Sequence, residues 1–217
     1  MSKSDPSEQS RINITDTKDQ IINKIRKARE KGCTTILMQG GLNSNIPFDF
    51  YTEIVSRTVK EFPDITPHFF SAPEIMKMTE VSGLSIKEVF QELKKAGQRT
   101  MPGGGSEILT NEIKSKISRF KPKNTVDQWT DVHLNAHEVG IFTTATMMYG
   151  HLEKDEDIIE TLSHIRSVQD EAIESKPAKF TAFIPWSFKK DNTALGKKIK
   201  KEAGPNQYLR IIAISRN

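Results

Sequence analysis

With 217 residues, 28% of them charged and 35% hydrophobic, the chain is long enough for one large domain with its own core. No apolar run approaches a membrane span, and the polar, serine-rich start carries no secretory signal pattern, so no membrane partner is expected and a cytoplasmic location is. The net charge of +4 is only weakly basic; the lysines within 114–123 and 189–201 are interrupted by proline and acidic residues and read as solvated faces, so no nucleic-acid partner is expected either.

Residues 1–13 are polar and expected to be loose. Thr15 or Asp16 caps a helix whose apolar positions Ile21, Ile22, Ile25 and Ala28 share one face and which ends at Gly32. Cys33 follows at the turn; as the one cysteine it excludes an intrachain disulfide framework, suits a reducing compartment, and is expected to be half-buried. Residues 34–38 read as a buried strand stopped by Gln39-Gly40-Gly41. A helix over 48–62 turns Phe50, Ile54 and Val59 inward, 65–70 is a strand, and Ser71-Ala72-Pro73-Glu74 opens a short helix broken at Gly83. The next helix, 85–96, has Gly97 as its C-terminal cap. A strand near Arg99, a triple-glycine turn and a helical stretch to Ile117 complete that unit. Then come a helix over 125–139, a strand over 141–148, a helix over 155–171, and a strand over 180–184 closed by Pro185 and Trp186. A lysine-rich excursion and an apolar helix over 206–217 end the chain.

Steady alternation of strands and helices implies parallel strands with helical crossovers, hence an α/β sheet or barrel. Polar and glycine residues fall just after successive strands, at Gln39–Gly41, Ser71–Glu74, Gly103–Glu107, Tyr149–His151 and Trp186. In a parallel barrel those ends share one face, where ligands bind. Met101-Pro102-Gly103-Gly104-Gly105-Ser106-Glu107 is the most distinctive of these turns: glycine backbone can take positive φ and approach a ligand closely, with Glu107 at the rim as a hydrogen-bond acceptor. Pro and Gly also punctuate ordinary loops, so the turn by itself leaves a structural role open. The chain opens on a helix where a barrel would open on a strand, which suggests either a short open sheet or a missing first strand. His133, His137 and Glu138 are spaced to chelate zinc, but the glutamate does not lie between the histidines as zinc peptidases need, and no metal site is expected.

Six segments in order, Met38-Gln39-Gly40-Gly41-Leu42-Asn43, His68-Phe69-Phe70-Ser71-Ala72-Pro73-Glu74, Pro102 to Leu109, Ala136-His137-Glu138-Val139-Gly140, Thr144 to His151 and Phe183-Ile184-Pro185-Trp186, resemble the dehypoxanthine futalosine cyclases. These are radical S-adenosylmethionine (SAM) enzymes of the futalosine route to menaquinone. Aminofutalosine synthase and the enzymes that assemble the deazaflavin chromophore are similar siblings. The resemblance, running from about residue 14 to the end, implies a partial (βα)6-type TIM-like barrel of the radical SAM kind, lacking its first strand. It implies SAM and a [4Fe–4S] cluster as cofactors, dehypoxanthine futalosine as substrate, and an external electron donor. The family's Cys-x-x-x-Cys-x-x-Cys motif is absent and Cys33 lies in the wrong place, so the chain is expected to be a truncated piece, inactive by itself. By motif match, Gln39, Gly40, Gly41, Ser71 and Glu107 correspond to the cofactor-binding residues, and Glu74, His137, Thr144, Thr146, Tyr149 and His151 to substrate contacts; no catalytic residue is assigned. Structural readings stay open beside these: a capping role for Gly40 and Gly41, a helix N-cap for Ser71 and Glu74, and packing for His137. Met147 and Met148 read as core, Arg166 as an external ion pair with Asp170 or a carboxylate holder, and Trp186 as an apolar cavity wall or a packing residue. Two further readings remain: a non-catalytic remnant that keeps a ligand pocket, and a metal-independent barrel enzyme with Glu107 and His137 as acid and base.

Overall fold

The computed structural model describes residues 16–118 and 124–216; the stretch 1–13 expected to be loose lies outside them, as does part of the lysine run within 114–123. Helix α1 (Lys18–Glu30) is capped by Thr17, not Thr15 or Asp16: the Thr17 hydroxyl accepts the Gln20 N–H while the Gln20 side chain accepts the Thr17 N–H. Strand β1 (Thr35–Met38), helix α2 (Phe48–Glu61), strand β2 (Thr66–Phe69), helices α3 (Ala72–Ser82) and α4 (Ile86–Ala96), and strand β3 (Thr100–Met101) follow. After them come α5 (Asn111–Ile117), α6 (Val126–Val139), β4 (Phe142–Tyr149), α7 (Asp155–Ser175), β5 (Phe180–Ser187), a 3-10 turn (Leu195–Lys198) and α8 (Pro205–Ile214).

The five strands form one parallel sheet in chain order, β1-β2-β3-β4-β5. Sequential order with parallel neighbours puts every strand's C-terminal end on the same rim, as the alternation predicts. Register sets Leu37 opposite His68, His68 opposite Thr100, and Thr100 opposite Phe142. Strand parity then divides two environments. Ile36, Phe69, Met101 and Ala145 face the helices and join the core of Ile54, Ile75, Phe90, Leu93, Trp129 and Val132, whereas Leu37, His68, Thr144 and Thr146 open onto the other face.

Three expectations are corrected here. Strand β1 is not buried: among the described residues it has a neighbour on one side only, and Leu37 is 63% exposed. Cys33 is exposed, not half-buried, because the turn carrying it lies beyond the end of that edge strand. Strand β5 runs on through Pro185 and Trp186 to Ser187, which pairs with Tyr149; an edge strand tolerates Pro185 because its missing N–H faces away from the ladder. Helix α2 buries Tyr51, Ile54, Val55 and Thr58, a stripe that leaves Phe50 and Val59 only half-buried. Among the described residues no helix is long and apolar enough to cross a membrane.

Candidate functional site

The triple-glycine turn joins β3 to α5 and lies hard against β4. A Cβ on Gly103 would stand 2.4 Å from the Thr144 carbonyl oxygen, and Gly105 adopts φ +93° with the Pro73 ring 2.6 Å from where its Cβ would be. Both positions therefore demand glycine, one for close approach and one for conformation as well. Hydrogen bonds fix the turn further. The Gly103 N–H donates to Thr144 Oγ1 at 3.0 Å, and Thr146 Oγ1 donates to the Gly103 carbonyl at 2.8 Å. From below, Lys114 Nζ donates to the carbonyls of Gly105 (2.6 Å) and Ser106 (3.0 Å) and lies 3.6 Å from the Glu107 carboxylate. Burial lowers the Lys114 pKa from its ordinary value while Glu107 opposes that fall.

Two bulky residues at the rim take the left-handed conformation, Phe70 at φ 62° and Glu107 at φ 44°. Such backbone is costly for side-chain-bearing residues and persists only where the surroundings hold it, often beside ligands. Here the Phe70 N–H donates to the Met38 carbonyl at 3.0 Å, and the Glu107 carbonyl accepts the Met148 N–H at 2.8 Å. Between them, the buried Glu74 ties two turns together. Its Oε1 accepts the Gly40 N–H at 2.7 Å and its Oε2 accepts the Ser71 N–H at 2.8 Å and the Ser71 hydroxyl. Ser71 and Glu74 thus do act as the N-terminal cap of α3, and Glu74 also secures the Gln39–Gly41 turn.

These turns enclose an open cavity of about 610 Å³. Its lining brings together Gln39, Gly40, Gly41, Ser71, Glu74, Gly103 to Gly105, Glu107, Thr144 and Thr146, with Leu37, Ile184 and Trp186 as an apolar side. Of the eleven residues singled out from the sequence, eight converge here and three do not. His137 sits behind the sheet: its Nε2 lies 2.7 Å from Thr143 Oγ1, which also meets His133 Nδ1 at 3.0 Å, and Phe180 packs against both rings. Burial holds the pKa of His137 down at about 4, with Lys176 adding to the fall, and holds that of His133 well below its ordinary value. Tyr149 has the parity of Thr143, Ala145 and Met147 and is buried against Ile108, Ile113 and Ile158. His151 is enclosed beyond the strand end, its Nε2 3.0 Å from the Met148 carbonyl and its Nδ1 2.9 Å from Glu153. Thr144 and Thr146 line the cavity, yet their hydroxyls already serve the glycine turn.

Two residues of the site escaped the sequence reading. The sequence places Lys114 among solvated lysines, but it is 3% exposed and anchors the turn. His68 lines the cavity floor, on the same strand parity as Thr66. A second groove of about 440 Å³ lies outside β4 and β5, where Gln169 bonds both backbone groups of Phe180 and Arg166 pairs with Asp170 at 3.2 Å.

The donor set admits one cofactor and refuses the other. A cavity of this size, with glycine backbone, an amide, a carboxylate and an apolar side, fits a nucleoside the size of SAM. A [4Fe–4S] cluster needs several thiolates close together, and the chain has Cys33 alone. Cys33 precedes β1, at the opposite end of the sheet from the rim, roughly 20 Å of extended chain from Gln39. The cluster does not fit the residues of this chain. Among the described residues, no group of three or more His, Cys, Asp or Glu side chains is placed to hold a metal ion.

Comparison with known proteins follows the same lines. The family described as the radical SAM superfamily matches residues 4–165, and the CofH/MqnC C-terminal region matches residues 177–217. The cyclic dehypoxanthine futalosine synthase of Halalkalibacterium halodurans is 41% identical over 196 residues, covering 90% of this chain and 50% of that protein. The 5-amino-6-(D-ribitylamino)uracil–L-tyrosine 4-hydroxyphenyl transferase of Methanococcoides burtonii is 39% identical over 184 residues, covering 85% of this chain and 50% of the relative. The chain spans about half the length of the curated relatives it matches. Among solved structures, the [FeFe]-hydrogenase maturase HydG superposes with a TM-score of 0.70 at 15% identity, over 95% of this chain and 44% of its own. Methylornithine synthase (PylB) does so with a TM-score of 0.61 at 12% identity, over 91% of this chain and 53% of its own. At such identities the structural likeness speaks for the fold alone, a parallel α/β sheet of the barrel type, in keeping with the class read from the sequence.

Proposed function

The chain belongs to the radical SAM superfamily, and from that premise we propose that its rim binds SAM beside a nucleoside-derived substrate of the kind used by cyclic dehypoxanthine futalosine synthases. One observation carries the reading: three successive strand ends deliver Gln39–Gly41, Ser71, and Gly103–Gly105 with Glu107 into one cavity. In this superfamily SAM supplies hydrogen-atom abstraction from a bound substrate. The residues of this chain bind and orient. Glu107 accepts hydrogen bonds from ribose hydroxyls or an amine, and Gln39 offers both an acceptor and a donor. Glycine backbone lets the ligand lie close, while Leu37, Ile184 and Trp186 form a wall for a base or an aromatic ring and displace water from it. Because the cluster does not fit these residues, turnover by this chain alone is not expected.

A second reading has its own support, since a 4-hydroxyphenyl transferase relative stands at 39% identity, beside 41% for the synthase. Its substrate, a ribitylamino-uracil, would lie against the same wall. Calorimetric titration separates the two. The proposal expects saturable binding of SAM, weakened about tenfold in Glu107→Ala, and tighter binding of dehypoxanthine futalosine than of 5-amino-6-(D-ribitylamino)uracil. Absence of SAM binding overturns the cofactor assignment, and the reverse substrate preference transfers the chain to the second reading.

A further inference from the structure

We propose that His68 recognises the bound ligand through Nε2, acting as a hydrogen-bond acceptor for a hydroxyl or N–H group; this rests on the SAM-site reading above. Strand β2 turns Pro67 and Phe69 toward the helices, which leaves His68 on the open face at the cavity floor. Register then fixes its neighbours, Leu37 on one side and Thr100 on the other.

Two hydrogen bonds at Thr100 point to the ring nitrogen that carries the proton. His68 Nδ1 lies 2.9 Å from Thr100 Oγ1, and either atom could donate. Thr100 Oγ1 also lies 3.3 Å from the Pro67 carbonyl oxygen, which can only accept. The hydroxyl has one proton, so both hydrogen bonds form together only when it donates to the carbonyl. Thr100 Oγ1 therefore accepts from His68 Nδ1–H, and in the neutral ring Nε2 is left as a lone pair. Among the described residues Nε2 has no hydrogen-bond partner. Burial lowers the pKa of the ring, which keeps it neutral near pH 7.

An acceptor at the floor complements the chemistry of the rim. Glu107 above also accepts only, so the two select a ligand with donors at both ends, as a ribose with free hydroxyls has. A ligand offering only acceptors at its inner end would meet an unfavourable lone-pair contact.

The test combines a spectroscopic readout with binding. Two-bond proton–nitrogen correlation spectra, with His68 assigned by its loss in His68→Gln, are expected to show the Nδ1–H tautomer. Titration with S-adenosylhomocysteine is expected to give about tenfold weaker binding for His68→Phe. His68→Gln, whose side-chain oxygen reaches the Nε2 position, should recover most of that loss, and circular dichroism checks that each variant is folded. An Nε2–H tautomer overturns the inference, as does equal affinity of the unaltered chain and His68→Phe. If the unaltered chain does not bind S-adenosylhomocysteine, the SAM-site reading falls and the inference falls with it; a ligand that binds regardless of position 68 sinks this inference alone.

Discussion

The Glu74 carboxylate accepts the Gly40 N–H at 2.7 Å, bridging turns that are 34 residues apart in the chain. The same group holds Ser71, so one buried side chain sets the distance between the first two rim loops. Glu74→Ala removes three charge-assisted hydrogen bonds and leaves the two N–H groups to find new acceptors. The expected cost is about 2–4 kcal/mol of unfolding free energy, with Glu74→Gln losing less because one acceptor remains. Urea denaturation measures both, and an unchanged midpoint in Glu74→Ala would show that the bridge does not hold in solution.

Lys114 is expected to behave as a structural anchor. Lys114→Met keeps the length of the stem but leaves the carbonyls of Gly105 and Ser106 without their donor. A loss of about 2–4 kcal/mol follows from leaving one buried and one half-buried acceptor unsatisfied. Lys116→Met, on the exposed side of the same helix, should stay within about 0.5 kcal/mol of the parent.

The histidine pair behind the sheet predicts acid sensitivity. The folded pKa of His137 is lowered from 6.5 to about 4, so between those values the unfolded chain binds the extra proton. Stability is then full above about pH 6.5, falls as the pH drops toward 4, and levels off for this group below that. A shift of that size corresponds to roughly 3 kcal/mol. His133, whose pKa is lowered in the same direction, steepens the slope. Urea midpoints between pH 7.5 and 4.5 should therefore decline, and the decline should be shallower in His137→Gln. A flat profile would contradict neutral burial of the pair.

Glycine substitutions distinguish shape from binding. Gly103→Ala drives a methyl group into the Thr144 carbonyl and should destabilise the fold by several kcal/mol, whereas a Cβ on Gly41 meets nothing within 4 Å. Gly41→Ala is thus expected to fold like the parent, while SAM affinity falls if ligand occupies that space. Thermal midpoint and calorimetry together read the contrast. Equal destabilisation by the two changes would refute the placement of the turns.

Much of this site was legible because strand ends in a parallel sheet coincide whatever the details of packing. Gln39, Ser71, Glu74 and Glu107 needed only the order of elements to be brought together. Tyr149 and His151 needed strand parity and the exact strand end: one residue's difference puts Tyr149 with Ala145 and Met147 against the helices, and the chain has already turned at His151. His137 sits on a helix, where spacing says which residues share a face but not which sheet surface that face covers. Lys114 was hidden by composition, since a lysine among lysines carries no mark of burial. The exposure of β1 could not be read from Thr35-Ile36-Leu37-Met38, because an edge strand and a central strand share the same apolar letters.

The lone thiol at the foot of β1 has a practical corollary. Maleimide chemistry directed at Cys33 would tether a dye or a solid support to a single defined spot, on the far side of the molecule from the groove. Entry of small molecules would then be followed optically or at a sensor surface with the mouth of the groove left clear.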